Sequence, residues 1–295
     1  MDKQINLITP DEDRGTFVNS YRSVVGTTVA EAPLTGTATY EDLAWWFQLV
    51  LKGGVTGVLR AVTAYDYTFV PSLSVDDLKS ATLEGGDDTQ AYRMLYAMVD
   101  SFELVGAINQ LWKFNAKIIG ADMIPYTFTA ALPERVVEDV DFYLTKLAIG
   151  AAGAVPSGYM TGRFVGFKLT VNNHLNRKYF ADGAAATIGG IGRAEREITL
   201  EITMEGNAAT VAERAVWEAG TSRVVRITAA GTAIAGSTGP VLRGVDLIIP
   251  GRWASFKMGD NVTNTIFTAV LRNEYDAVLG YDISAVVTNG LVTLP

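Results

Sequence analysis

Nine residues of strict alternation, from Glu197 to Glu205, constrain the fold of this 295-residue chain more than any other stretch. Polar and apolar side chains alternate there without a break, and the apolar set comprises Ile198, Leu200, Ile202 and Met204. Because successive side chains of an extended backbone point to opposite faces, the pattern predicts a β-strand with one buried and one solvated face. The solvated face would carry Glu197, Thr199, Glu201, Thr203 and Glu205.

A helix is predicted directly after this strand. Asn207 and the glycine before it interrupt the alternation, and Thr210 is a candidate N-cap with Glu213 three residues later. Gly220 follows the apolar helical residues and can adopt the left-handed conformation that ends a helix. Strand, cap, helix and glycine therefore follow one another within one short segment.

The same order of elements occurs earlier, in residues 36–54 (GTATYEDLAWWFQLVLKGG). Thr39 and Asp42 form a looser capping pair there, apolar residues recur at helical spacing, and Gly53 follows them. Both predicted helices lead toward strand-like runs, YDYTFV after the first and RVVRIT after the second. This repetition indicates two copies of one structural unit.

Most of the remaining chain has the pattern of short strands between turn residues. In LWKFNAKIIG one face carries Trp112, Phe114, Ala116 and Ile118, and the other carries Lys113, Asn115 and Lys117. The preceding run AMVDSFELVG is a candidate hairpin partner. We therefore predict a mainly β fold with two principal helices, divided into domains at residues 1–134 and 135–295, with the junction near 131–138.

Composition and charge exclude several classes of protein. Hydrophobic residues make up 48% and charged residues 19%, so the chain can bury a core and is not expected to be disordered. No apolar run reaches the roughly 18 residues that a membrane helix needs, and the amino terminus lacks a signal-peptide pattern. The absence of cysteine rules out disulfides and thiolate sites, and the net charge of −8 disfavours tight sequence-independent binding to a phosphate backbone. We expect a soluble protein, made inside a cell, with no membrane partner.

Residues that could carry catalysis or bind a metal are few. The single histidine, His174, cannot by itself form a triad or a multi-histidine metal site. The GSTG at Gly236 lacks the Lys-Ser/Thr of a phosphate loop, and the GGIG at Gly189 lacks the strand-then-helix setting of a dinucleotide site. The EGGDD at Glu84 is more simply a solvated acidic turn than a cation site, and the glycosylation acceptor at residues 261–263 has no sign of secretion beside it. We expect no enzyme, no metal and no cofactor.

The charged residues of the predicted strands offer another kind of functional surface. Glu197, Glu201 and Glu205 would form an acidic ladder, and Lys113 and Lys117 would form a basic ladder in the first half. The simplest interpretation is a solvated strand face. The alternative is that these side chains line a shared surface that symmetry repeats.

The order of elements resembles the tail tube, or major tail, proteins of long-tailed bacteriophages. The resemblance lies in GTATYEDLAWWFQLVLKGGV, in the run from YDYTFVPSLSVDDLKSATLEGGDD through SFELVG and LWKFNAKIIGADM, and in GFKLTVNNHLNRKYFADG of the second half. The resemblance covers nearly the whole chain, and it is a general pattern of residues and not a strict motif. The two halves of this chain share the order of their elements but few residue identities.

The resemblance implies a β-sandwich or half-barrel flanked by one helix in each domain, closing with other copies into a β-barrel ring. It implies rings that stack into a hollow tube for phage DNA, and, for a doubled chain, a homotrimer with pseudo-sixfold symmetry. The implied partners are the chain itself, the tape measure, tail terminator and distal tail proteins, and double-stranded DNA in transit without specific binding. The implied location is the virion tail, after synthesis in the bacterial host cytoplasm.

Strand spacing makes a channel of that kind feasible. If each of six domains gives four strands to one barrel, 24 strands at ~4.8 Å give a backbone diameter of ~37 Å before tilt widens it. Glu197, Glu201, Glu205, Lys113 and Lys117 are then candidate lumen residues, and an acidic lining would keep DNA from adhering. Residues 1–20 and the loop DGAAATIGGIG are candidates for contacts between stacked rings.

Alternative hypotheses belong to other functional classes. A β-sandwich that binds carbohydrate or a receptor would need exposed aromatic residues, for which Tyr65, Tyr67 and Phe69 are the candidates. A carboxylate enzyme would need two acidic residues in one cleft. Other virion components, such as a neck or decoration protein or the inner tube of a contractile device, are structural alternatives.

Overall fold

The computed structural model describes residues 1–11, 15, 17–18, 20–75, 77–87, 89–130, 137–181, 188–236, 239–261 and 264–294. The described chain contains two α-helices and pairs its strands antiparallel, which confirms the prediction of a mainly β fold with two principal helices. None of its described helices is long and apolar enough to cross a membrane. Most of the predicted domain junction, part of EGGDD and GSTG, and most of the glycosylation acceptor lie outside the described residues.

The elements of the first half are eight strands, β1 to β8, and helix α1. In chain order they are β1 Asp2–Ile8, β2 Val24–Thr37, α1 Tyr40–Val50, β3 Val58–Ala61, β4 Ala64–Phe69, β5 Ala81–Gly86, β6 Ala91–Ala107, β7 Lys113–Gly120 and β8 Asp122–Tyr126.

The elements of the second half follow a short 3₁₀ helix, Phe142–Leu144. In chain order they are β9 Thr145–Ala151, β10 Tyr159–Met160, β11 Phe164–Asn172, β12 Leu175–Lys178, β13 Gly190–Arg193, β14 Glu197–Glu205, α2 Ala208–Glu218, β15 Arg223–Ala233, β16 Leu242–Asn261, β17 Asn264–Asn273 and β18 Ser284–Asn289.

The strands form two layers that one continuous path of pairing connects. The first layer runs β1-β2-β7-β6-β11-β14-β17-β16, with the first and last of these eight strands at its ends. The second layer begins where β16 also pairs with β15, and continues through β9 and β10 on one side and through β18, β4 and β3 on the other. Within the described residues the first layer is an open sheet, since its end strands do not pair with each other.

Helix α1 lies between the two layers. Trp46 packs against Phe102 of β6 and Phe114 of β7, with ring centroids 5.7 and 4.7 Å apart, and Phe47 packs against Phe69 of β4 at 5.9 Å. Residues from both layers and from α1 belong to one buried apolar cluster. Trp45 and Trp46 are partly buried and pack against this cluster.

Two long strands take part in more than one set of pairings. β6 pairs with β5 and β8 through its first half and with β7 and β11 through its second, and it bends at Tyr96, whose φ is +52°. β16 pairs with β15 and β18 first and with β17 afterwards, passing through Gly251. A Cβ on Gly251 would lie 2.1 Å from the carbonyl oxygen of Arg272, so this crossing requires glycine.

The pairings of the first half recur in the second half. The pairs β1–β2, β2–β7, β6–β7, β5–β6 and β6–β8 have the counterparts β11–β14, β14–β17, β16–β17, β15–β16 and β16–β18. Register shifts occur between Val99 and Ser101 in β6 and between Trp253 and Ser255 in β16. The halves are also joined, because β6 pairs with β11 and β4 pairs with β18.

A buried ion-pair cluster fixes the start of α1 to the second half. Arg243 Nε lies 2.8 Å from Glu41 Oε1, and its Nη1 lies 3.3 Å from Glu138 Oε2. The backbone N–H of Glu138 donates to Glu41 Oε2 at 3.0 Å. Burial, reinforced by the charges of Glu138, Asp141 and Glu41, raises the pKa of the neighbouring Tyr40 hydroxyl. The end of the predicted junction, at Glu138, is therefore anchored to both halves.

The helix caps differ from the prediction at α2. Thr39 caps α1 as predicted, its side chain accepting from the backbone N–H of Asp42. At α2 the cap is Asn207, whose Oδ1 accepts from the N–H groups of Ala209 and Thr210. The predicted cap Thr210 is wrong, because its hydroxyl donates to the carbonyl oxygen of Glu205 at 2.9 Å instead.

Of the two predicted helix ends, only that of α2 is confirmed. Gly220 has φ +62°, and its N–H donates to the carbonyl oxygen of Trp217, which confirms the predicted glycine stop of α2. The predicted stop of α1 at Gly53 is wrong, because α1 ends at Val50 and Leu51 is its C-cap, whose N–H donates to the carbonyl oxygen of Phe47.

Replacing Asn207 with alanine should lower the free energy of unfolding by about 1 kcal/mol, because two helix N–H groups lose their acceptor. Asn207→Asp keeps a side-chain oxygen in place and should cost less than half as much. Urea unfolding followed by circular dichroism measures both variants. If Asn207→Ala leaves the free energy of unfolding unchanged, the assigned cap is incorrect.

Candidate functional site

The predicted acidic ladder lies on the outward face of the first layer. In β14 the side chains of Ile198, Leu200, Ile202 and Met204 are 0% exposed. The residues between them are exposed or half-buried, with Glu201 the most open. The predicted alternation is confirmed, because burial on the core side selects every second residue.

Strand register brings the basic and acidic ladders onto the same face. Directly opposed residues of an antiparallel pair project to the same side of a sheet. One row of opposed residues crosses β7, β6, β11 and β14 through Lys113, Val105, Lys168 and Glu201. A second row, four residues further along each strand, crosses them through Lys117, Ser101, Asn172 and Glu197. Residues more than eighty positions apart therefore share one surface, which we call the polar face.

The polar face carries both signs of charge. Its acidic residues are Asp2, Glu31, Glu103, Glu197, Glu201 and Glu205. Its basic residues are Lys113, Lys117, Lys168, Arg252, Lys257 and Arg272. The face is therefore not the uniformly acidic surface that the glutamate ladder alone suggested.

Most of the cations on the polar face have an acidic neighbour. Lys168 Nζ lies 2.6 Å from Glu103 Oε1, and Arg272 Nη2 lies 3.5 Å from Glu197 Oε1. The other two pairs join Lys117 to Asp100 at 3.4 Å and Arg252 to Glu274 at 3.1 Å. Exposed pairs of this kind contribute little to stability, but they neutralise the surface locally.

Both lateral ends of the first layer leave backbone edges without a partner among the described strands. At one end, residues 252–260 of β16 pair with β17 alone. At the other end, β1 covers β2 only as far as Glu31, so residues 32–37 of β2 pair with β7 alone. Pro33 lies on this second edge, where a residue without an N–H is tolerated. Open edges of this length can template pairing with another chain.

Two ribbons project together from one end of the first layer. One is the β1–β2 hairpin, which exposes Ile5, Leu7, Ile8, Val24 and Val25. The other is the β12–β13 hairpin, whose Arg177 Nη2 lies 2.5 Å from Glu31 Oε1. The segments predicted as ring contacts, residues 1–20 and 182–192, each contribute a strand to one of these ribbons, but the ion pair joins residues outside both. Residues 12–14, 16, 19 and 182–187 of those segments lie outside the described residues.

Two of the three aromatic candidates for a binding surface lie in the core. Tyr67 and Phe69, predicted as part of an exposed aromatic face, are fully buried, and burial raises the pKa of Tyr67. Within the described residues no group of three or more His, Cys, Asp or Glu side chains could hold a metal ion. His174 Nε2 lies 3.7 Å from Glu197 Oε2 at the margin of the polar face.

A model of the family described as phage tail tube protein matches residues 1–265. The chain belongs to the phage tail tube protein family. This family is structural and not enzymatic, and it places the protein in the tail of the bacteriophage virion. Membership also implies that the tail tube protein assembles with itself and with other tail proteins. A search of the curated proteins gave no match.

Sequence reasoning missed several charged residues of the polar face. Lys168 could have been found, because Phe167, Leu169 and Val171 alternate around it. Glu103 and Lys257 are harder to assign, since the bulges in β6 and β16 shift the alternation within each strand. The pairing of β6 with β11 brings the two ladders onto one sheet, and no local sequence pattern predicts it.

The orientation of β14 can be tested by paired substitutions. Glu201→Lys should change the unfolding free energy by less than about 0.5 kcal/mol, because the side chain is exposed and pairs with no described cation. Ile202→Ala, one residue away, should cost about 2–4 kcal/mol by leaving a cavity in the core. Comparable costs in denaturant unfolding would contradict the assigned faces.

Proposed function

We propose that this tail tube protein self-assembles into rings that stack into the hollow tube through which phage DNA is delivered. The observation that carries the proposal is an open sheet of eight strands with a buried face, a polar face and an unpaired backbone edge at each end. Such a sheet satisfies its edges when copies pair side by side. Closure around the polar face would leave the core and both helices on the outside.

The repeated pairings support two tail-tube-like domains, residues 1–134 and 135–295. Each would give four strands to the first layer: β1, β2, β7 and β6 from the first domain, and β11, β14, β17 and β16 from the second. Three chains would then supply 24 strands, enough for a backbone diameter of ~37 Å at a strand spacing of ~4.8 Å. We therefore propose a homotrimeric ring with pseudo-sixfold symmetry.

In this ring the polar face lines the channel, with Glu197, Glu201, Glu205, Lys113 and Lys117 as lumen residues. Tight binding to DNA requires cations that are free to replace the counterions of the phosphates. Since most cations of the polar face already adjoin carboxylates, the lining offers no large cluster of that kind. This supports transient passage of double-stranded DNA without specific binding.

The two projecting ribbons are proposed as contacts between stacked rings. Their exposed apolar residues would lose contact with water when a neighbouring ring covers them. At the ends of the tube the same surfaces would meet the terminator and distal tail proteins, and the channel would hold the tape measure protein.

Electron microscopy of the concentrated protein tests the assembly directly. We expect rings or tubes roughly 100 Å wide, the size of a 24-stranded barrel with an outer layer. Mass measurement in solution should give a trimer or its multiples. Only monomers at every concentration and salt condition, in a protein that is folded by circular dichroism, would contradict the proposal.

The lumen assignment predicts an effect on DNA passage. Replacing Glu201 and Glu205 with lysine should leave tubes intact but slow DNA release from triggered virions, because free cations then face the phosphates. Glu218→Lys on the exposed end of α2 makes the same type of charge change away from the polar face. Equal slowing by the control, or unchanged release by the double variant at low salt, would count against a lumen position.

A further inference from the structure

The chain contains a seam of its own, where β6 of the first half pairs with β11 of the second. Its register places Ser101 opposite Asn172, Phe102 opposite Val171 and Glu103 opposite Thr170. This seam joins the last strand of one four-stranded group to the first strand of the next. A ring made of such groups needs the same kind of joint between chains.

The strand equivalent to β6 in the second half is β16. Each pairs with the strand that follows it in an antiparallel hairpin, and each has one register shift in that hairpin. Ser101 is the first paired residue after the shift in β6, and Ser255 is the first after the shift in β16. Ser255 is therefore the counterpart of Ser101.

The strand equivalent to β11 in the first half is β1. Val29 lies as many residues before α1 as Glu197 lies before α2. The partner of Val29 is Gln4 in β1, and the partner of Glu197 is Asn172 in β11. Gln4 is therefore the counterpart of Asn172.

We propose that β16 of one protomer pairs antiparallel with β1 of the next, in the register that places Ser255 opposite Gln4. The same register places Phe256 opposite Lys3 and Lys257 opposite Asp2. This inference rests on the proposed ring and specifies its interface as a second copy of the internal seam. The partner is another molecule of this chain.

The backbone of β16 is oriented for this pairing. The N–H of Gly206 donates to the carbonyl oxygen of Thr265 at 2.7 Å, which fixes which groups of β14 and β17 point toward each other. Successive residues of a strand point their backbone N–H and C=O groups to opposite neighbours. Following this alternation along β17 and across to β16 shows that the N–H groups of Phe256 and Met258 point away from β17. No described strand accepts them.

Charge agrees with the proposed register. Lys257 is exposed, pairs with no described carboxylate, and would lie directly opposite the exposed Asp2. In the internal seam the equivalent position holds Glu103, which pairs instead with Lys168. A cross-strand pair of opposite charges favours its register over slipped alternatives by a modest amount.

Cysteine cross-linking tests the register, because the natural chain contains no cysteine. Gln4→Cys with Ser255→Cys places two thiols at a non-hydrogen-bonded pair, where Cβ atoms are close enough for a disulfide. Oxidation of the assembled protein with diamide should give covalent dimers and trimers on a non-reducing gel, reversed by dithiothreitol. The matched control Ser101→Cys with Asn172→Cys should cross-link within one chain, whether or not rings form.

A cysteine pair in a shifted register distinguishes the proposed register from ring assembly in any other register. Gln4→Cys with Lys257→Cys is displaced by two residues on the same face and should cross-link at least roughly tenfold more slowly. Rings seen by microscopy without the Gln4/Ser255 cross-link, or with faster cross-linking of the slipped pair, would overturn the seam and leave the tube function standing. Absence of both rings and intermolecular cross-links, with the internal control intact, would overturn both.

Discussion

Backbone hydrogen bonding between β6 and β11 is the constraint on which the rest of this structure depends. It turns two four-stranded groups into one sheet, and it aligns residues that are remote in sequence on a single face. Without it, the lysines of β7 and the glutamates of β14 would belong to separate surfaces. The sheet can extend only at its two ends, which makes those ends the natural sites of contact with further copies.

The two long strands explain how one chain forms both the polar face and the closed core beneath it. β6 and β16 each carry a register shift in the hairpin that follows, and β16 also enters the second layer. Bulges raise local twist and bend a strand, so placing one in each half gives both halves a related curvature. Helix α1 then fills the space between the layers with Trp46 and Phe47, whose rings contact both sides.

Local patterns predicted those parts of the fold that burial decides residue by residue. The alternation of β14, the hairpin of β6 with β7, and the cap at Thr39 follow from periodicity and side-chain chemistry over a few residues. The cap of α2 was misassigned because Asn207 and Thr210 both carry suitable oxygens, and only the backbone path decides between them. Pairings such as that of β4 with β18 join segments that are distant in sequence, so no local sequence pattern predicts them. For the same reason the mixed charge of the polar face could not be read from the glutamate ladder alone.

Carrying a joint inside the chain has a kinetic consequence for any ring these chains build. Two tethered strand edges meet at an effective concentration on the order of millimolar, whatever the amount of protein present. Half of the joints in a threefold ring are then formed during folding, and mass action governs only the other half. In the proposed ring, joining two halves in one chain would make nucleation less sensitive to dilution than it would be for six separate single-domain subunits.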